Sequence, residues 1–93
     1  MARLGENEIE SRLAELPGWS RSGEAITREF GCGDFAGSVE FVNRLTPVAE
    51  EMNHHPDLAI SWSNVAVTIS THSEGGLTAA DFELARQIDE LAR

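Results

Sequence analysis

At 93 residues, 41% of them hydrophobic and 25% charged, the chain is sized and composed for one ordinary globular domain with a modest core. Sixteen Asp and Glu against seven Lys and Arg give a formal net charge of -9, and no basic run appears, which argues against direct binding to a nucleic-acid backbone or an anionic membrane. Cys32 is the single cysteine, so no internal disulfide forms, and no apolar stretch has the length of a signal-peptide core or a membrane span; the expected location is the cytoplasm.

The first element is an amphipathic helix, with Ile9, Leu13 and Leu16 at spacings of four and three, and Pro17-Gly18 stops it. Two short strands follow, around Trp19 to Ser22 and Ala25 to Phe30, joined by a turn at Ser22-Gly23-Glu24. Gly31-Cys32-Gly33 breaks the pattern, and Asp34 is a good N-cap for the next helix. Along that helix Phe35, Val39, Val42, Leu45, Ala49 and Met52 step by three or four residues. Pro47 removes a backbone donor inside it and predicts a kink or a short break before the pattern resumes.

Leu58, Ile60 and Trp62 alternate with small residues as a third strand, and Val65, Val67 and Ile69 form a fourth beyond a turn at Ser63-Asn64. A loop at 73–76 leads to Thr78-Ala79-Ala80-Asp81, a capping-box variant opening a last helix with Phe82, Ala85, Ile88 and Ala92 on its inner side. The order α-β-β-α-β-β-α predicts a single α+β domain over residues 1–93, a four-stranded antiparallel sheet with helices packed on one face.

Chemistry concentrates in two segments. The run Glu50 to Leu58 holds His54 and His55 side by side, and His72 follows the fourth strand. Imidazole has an unperturbed pKa of about 6.5, so it can both give and take protons near neutrality. Neighbours on an extended segment project to opposite sides, so His54 and His55 cannot comfortably chelate one metal. One of them could instead cap the preceding helix's carbonyls. If Val65, Val67 and Ile69 face the helices, Ala66, Thr68, Ser70 and His72 face the other way, a small and polar set suited to a binding wall. Cys32 has no histidine nearby in sequence, no serine lies in a G-x-S-x-G context, and no phosphate-binding glycine loop is present.

Together, Glu50-x-x-x-His54-His55-Pro56, Trp62, Ser70-Thr71-His72, Gly76-Leu77-Thr78 and Asp81 resemble the pterin-4a-carbinolamine dehydratase family, as does Leu13-x-x-Leu16-Pro17-Gly18-Trp19 near the start. The resemblance implies the same antiparallel sheet backed by helices. It implies a hydro-lyase that converts 4a-hydroxytetrahydropterin, the by-product of aromatic amino acid hydroxylases, to quinonoid dihydropterin and water, with no metal or organic cofactor. It also implies a homodimer or homotetramer. His54 and His72 would be the main acid/base groups, with His55 assisting and Asp81 tuning a histidine or holding a polar partner. Glu50, Pro56, Thr71, Ser73 and Glu74 would line the pterin site. Many relatives carry a basic residue immediately before the aspartate, where this chain has Ala80. Two other readings compete: a non-catalytic relative that binds a pterin or a protein, and a small metal-binding protein.

Overall fold

The computed structural model describes residues 2–93. Its elements run α1 (Glu6–Leu13), β1 (Ser20–Ser22), β2 (Ala25–Gly31), α2 (Phe35–Met52), β3 (Asp57–Ser61), β4 (Asn64–Ile69) and α3 (Ala79–Ala92), with a one-turn 3-10 helix at His72–Glu74. The order is the one that the sequence predicts. The four strands form one antiparallel sheet in the order β1-β2-β4-β3.

Strand alternation builds the core. Ile26 and Phe30 of β2 share a face with Val65, Val67 and Ile69 of β4, because Ile26 pairs with Ile69 and Phe30 with Val65. Phe41, Leu45 and Ala49 of α2 and Phe82, Leu84, Ala85 and Ile88 of α3 join them in one buried cluster. Burying each large apolar side chain contributes about 1.5–3 kcal/mol. Ala66 and Thr68, the alternate residues of β4, are only half-buried on the other face.

Four local expectations need correction. Helix α2 runs unbroken from Phe35 to Met52 through Pro47. Pro47 and Asn43 are both exposed, so the carbonyl that loses its donor faces water and the helix continues. The apolar stripe of α2 is also rotated: Ser38, Phe41, Leu45 and Ala49 are buried, while Phe35 and Val39 are exposed. On α3 Ala92 is exposed, and Leu84 takes its place in the core.

The β3–β4 turn comes one residue early. Ser61 pairs with Asn64, so Trp62-Ser63 is the two-residue connection, and Trp62 adopts φ 51 in the left-handed region. The hydroxyl of buried Ser38 donates to the Trp62 carbonyl at 2.7 Å, and Cys32 N–H donates to the Ser63 carbonyl at 2.7 Å. These two bonds hold a conformation that a side-chain-bearing residue adopts only at a cost.

Candidate active site

The sheet register gathers three chain segments at one end. Asp57 and Thr27 both stand opposite Thr68. The residues before β3, those after β4 and the β1–β2 turn therefore come out on the same side. They contain all three histidines and the Ser22 to Ala25 turn.

Helix α2 decides where His54 goes. Asn53 takes the left-handed conformation at φ 50, Asn53 N–H donates to the Glu50 carbonyl at 3.1 Å, and His54 N–H reaches back to Ala49 at 3.0 Å. Asparagine tolerates this backbone better than most residues, and the paired bonds close the helix. The chain then turns, and the two imidazoles diverge. His54, 15% exposed, lies against the fully buried carboxylate of Asp81, with Nε2 2.6 Å from Oδ1. His55, 55% exposed, meets the Glu50 carboxylate at 2.5 Å. Adjacent imidazoles thus serve two separate environments.

A hydrogen-bond chain fixes the proton directions around Asp81. Its Oδ2 accepts the Thr78 N–H at 2.8 Å and the Thr71 hydroxyl at 2.8 Å. Thr71's one hydroxyl hydrogen is thereby committed to Asp81, so the Thr78 hydroxyl donates to Thr71 Oγ1 at 2.9 Å while accepting the Ala80 N–H at 3.3 Å. Every polar atom in this buried cluster is satisfied, as its desolvation demands. An ionised carboxylate can only accept, so opposite it His54 presents a protonated Nε2. Nδ1 remains as the ring atom able to take up or release a proton.

The capping box predicted at Thr78 and Asp81 is present, and the same Asp81 that closes it also holds His54. One residue therefore both closes the cap of α3 and contacts the imidazole.

His72 does not prolong β4. That strand ends at Ile69, Thr71 bridges to Gly76, and exposed His72 opens the 3-10 turn. Its Nε2 lies 3.3 Å from Ser70 Oγ. Ser70, Thr71 and His72 line a cavity of about 330 Å³ together with Gly75 and Gly76. Thr71 Oγ1 is also 3.5 Å from His54 Nε2, so this residue links the His72 cavity to the His54–Asp81 pair.

Pro56 is half-buried between His55 and Asp57, whereas Ser73 and Glu74 are exposed and outside that cavity. Among the described residues no group of three or more His, Cys, Asp or Glu side chains is arranged to hold a metal ion. A larger concavity of about 690 Å³ lies between the Pro17-Gly18 turn and the end of α3. It contains no histidine, and its Asp89 is bonded to Arg28 and to Trp19 Nε1.

Sequence reasoning did not single out Ser70's bond to His72 or the hydroxyl of Thr78 as a support for Thr71. Thr78 was recognisable only as a cap. Its second task needs the loop folded back by the Thr71–Gly76 bridge.

Fold and geometry together define a small α+β protein whose three imidazoles lie at one end of an antiparallel sheet, one of them held by a buried carboxylate. The chain belongs to the family described as pterin 4 alpha carbinolamine dehydratase, which matches residues 2–91. It is 47% identical over 89 residues to a protein of Sulfolobus acidocaldarius, spanning 96% of this chain and 98% of that one. A protein of Thermosynechococcus vestitus is 49% identical over 90 residues, spanning 97% and 95%. Both are named, provisionally, as pterin-4-alpha-carbinolamine dehydratases.

Among solved structures, a transcriptional coactivator/pterin dehydratase from Brucella melitensis superposes with a TM-score of 0.93 at 38% identity, covering 98% of this chain and 99% of that one. A pterin dehydratase-like protein described as a RuBisCO assembly factor in the alpha-carboxysome shares the fold, with a TM-score of 0.68 at 24% identity.

Proposed function

We propose that the protein is a hydro-lyase that dehydrates a 4a-hydroxytetrahydropterin to quinonoid dihydropterin. In this reading the C4a–O bond breaks with its electron pair going to oxygen, which takes a proton and leaves as water. The proton on N5 is removed, and the N5 pair forms the C4a=N5 double bond. One group must give a proton and another accept one, and each positioned transfer is worth roughly 10²–10⁴-fold.

The observation that carries the reading is the buried Asp81 carboxylate holding His54, joined through Thr71 to the cavity beside His72. His54 and His72 act as the acid/base groups, His55 assists, and Asp81 orients His54. Glu50, Pro56, Thr71, Ser73 and Glu74 complete the pterin surroundings. The decisive experiment follows loss of the 4a-hydroxypterin's ultraviolet absorbance with and without protein. Acceleration over the spontaneous reaction supports the reading, and an unchanged rate rules it out.

The protein works as a homo-oligomer in this reading. Leu58 and Ile60 of β3 and Trp62 of the turn after it are exposed, with Phe35 and Val39 of α2 also uncovered. Strand β3 has one unpaired edge, and Asp57 is its only charged residue. An open edge with so little charge invites pairing with a second copy. The same uncovered side chains favour, as the second reading, a relative that binds a protein or a pterin without turnover. A co-purifying partner together with an inactive but pterin-binding protein would select it. The free Cys32 accords with a cytoplasmic location, and among the described residues no helix is long and apolar enough to cross a membrane.

A further inference from the structure

The cavity beside His72 has a second wall, formed by Glu24 and Ala25. Sheet register brings it there: Ile26 pairs with Ile69, so the turn entering β2 stands beside the residues leaving β4. Among the described residues Glu24 is the only carboxylate lining this cavity, and no arginine lines it.

The two nearby guanidiniums stand outside the cavity lining. Arg21 donates to both oxygens of Glu6, at 2.6 and 3.1 Å, to the Gly23 carbonyl at 2.8 Å, and to Glu24 Oε1 at 3.2 Å. Two carboxylates around one guanidinium leave the group net negative, and the second oxygen of Glu24 remains able to accept. Arg3 lies behind the glycine pair, with Nη1 donating to the Gly75 carbonyl at 3.4 Å. A Cβ at Gly76 would come within 2.6 Å of Arg3 Cδ, so the Arg3 side chain packs directly over this glycine.

We propose that Glu24 is a specificity-determining residue that selects pterins by the substituent at C6. The inference rests on the dehydratase reading of this site, in which the C4a–N5 bond reacts beside His72. C6 is bonded to N5, so its substituent emerges next to the reacting atoms and meets the Glu24 wall. A neutral, hydroxyl-bearing substituent can donate a hydrogen bond to that carboxylate. A carboxylate-bearing substituent meets repulsion from Glu24, and no guanidinium lines the cavity to offset it.

The test compares two stable pterins sharing one ring system, one with a 6-dihydroxypropyl and one with a 6-carboxyl group. Their dissociation constants are measured by pterin fluorescence on the full chain, on Glu24→Gln and on Glu24→Arg, at low and high salt. Glu24 is 58% exposed, so the effect is screened and modest. The wild type should prefer the dihydroxypropyl ligand. Glu24→Gln should narrow that preference by about three- to tenfold, Glu24→Arg should narrow it further, and high salt should weaken it in the wild type. A preference that is absent in the wild type, or unchanged in both variants, overturns the proposal, as does failure to bind either pterin. Turnover separates this result from the dehydratase reading. Glu24-dependent discrimination without catalysis sinks the dehydratase and leaves the subsite, and catalysis with Glu24-independent discrimination does the reverse.

Discussion

Asp81 divides its two oxygens between tasks: Oδ1 lies 2.6 Å from His54 Nε2, while Oδ2 accepts the Thr78 N–H at 2.8 Å and closes the cap of α3. Asp81→Asn keeps one oxygen for the cap but places an amide N–H toward His54. The imidazole must then present an unprotonated Nε2 or lose its bond, so Nδ1 becomes the protonated atom. Turnover is expected to fall at least about 10²-fold with only a small drop in melting temperature. Asp81→Ala should add the loss of the cap, about 0.5–2 kcal/mol. Thermal melts beside the absorbance assay resolve the two roles; near-wild-type turnover in Asp81→Asn would mean the residue is a cap and nothing more.

Among the histidines the expected order of damage follows their surroundings. His54→Ala and His72→Ala should each reduce turnover by roughly 10²-fold or more while circular dichroism stays native. His55→Ala should cost less, because its exposed pairing with Glu50 points away from the His54 cluster. Unchanged rates in all three variants would refute the acid/base assignment whatever the fold.

Self-association should depend on β3. Ile60 is 42% exposed and sits on the open edge strand, so Ile60→Glu inserts a charge into the surface proposed to meet a second copy. Light scattering is expected to give an oligomer for the wild type and a smaller species for the variant. A wild-type monomer, or an Ile60→Glu oligomer of the same mass, would remove β3 as the interface.

Acid should weaken the docking of α1 onto the β1–β2 hairpin. The Arg21 guanidinium hydrogen-bonds to Glu6 and attracts its charge, which holds that carboxyl below its ordinary value of 4.5. A carboxyl depressed in the folded state stabilises it above the unfolded value and loses that contribution as pH falls through the folded one. Wild type should therefore exceed Glu6→Gln in stability at neutral pH, and the two should converge in acid below 4.5. Denaturant midpoints measured across this window check the sign; a gap that widens in acid would contradict it.

Much of this architecture is legible along the chain because it is periodic. Alternation marks β3 and β4, a glycine turn marks the β1–β2 pair, and three- and four-residue spacings mark the three helices. Asp34 caps α2 as its type suggests, accepting the Gly37 N–H at 2.7 Å. The opposed directions of His54 and His55 also follow from simple alternation.

What escaped depends on contacts between distant residues. Ser38 and the Trp62 carbonyl are 24 residues apart, yet that bond places the hairpin turn one residue early. Phe35 and Val39 fit the helical period of α2 as well as the buried Ser38 and Phe41 do, and the choice of face is made by packing against the rest of the core, which the period does not record. Thr71 reaches Asp81 across 10 residues, and Glu24 nears His72 only through strand register. Propensity along a segment carries no information about such partners.

The unusual backbone at Trp62 has an optical consequence. The chain contains two tryptophans and no tyrosine. Trp19 is 6% exposed and donates its indole N–H to Asp89, whereas Trp62 is 73% exposed at the tip beside β3. Intrinsic emission therefore comes from two chromophores in opposite surroundings, one shielded from an aqueous quencher and one open to it. Replacing Trp62 by phenylalanine would isolate the core signal, and replacing Trp19 would isolate the edge signal. Unfolding and assembly could then be followed separately in a single cuvette, with no dye attached.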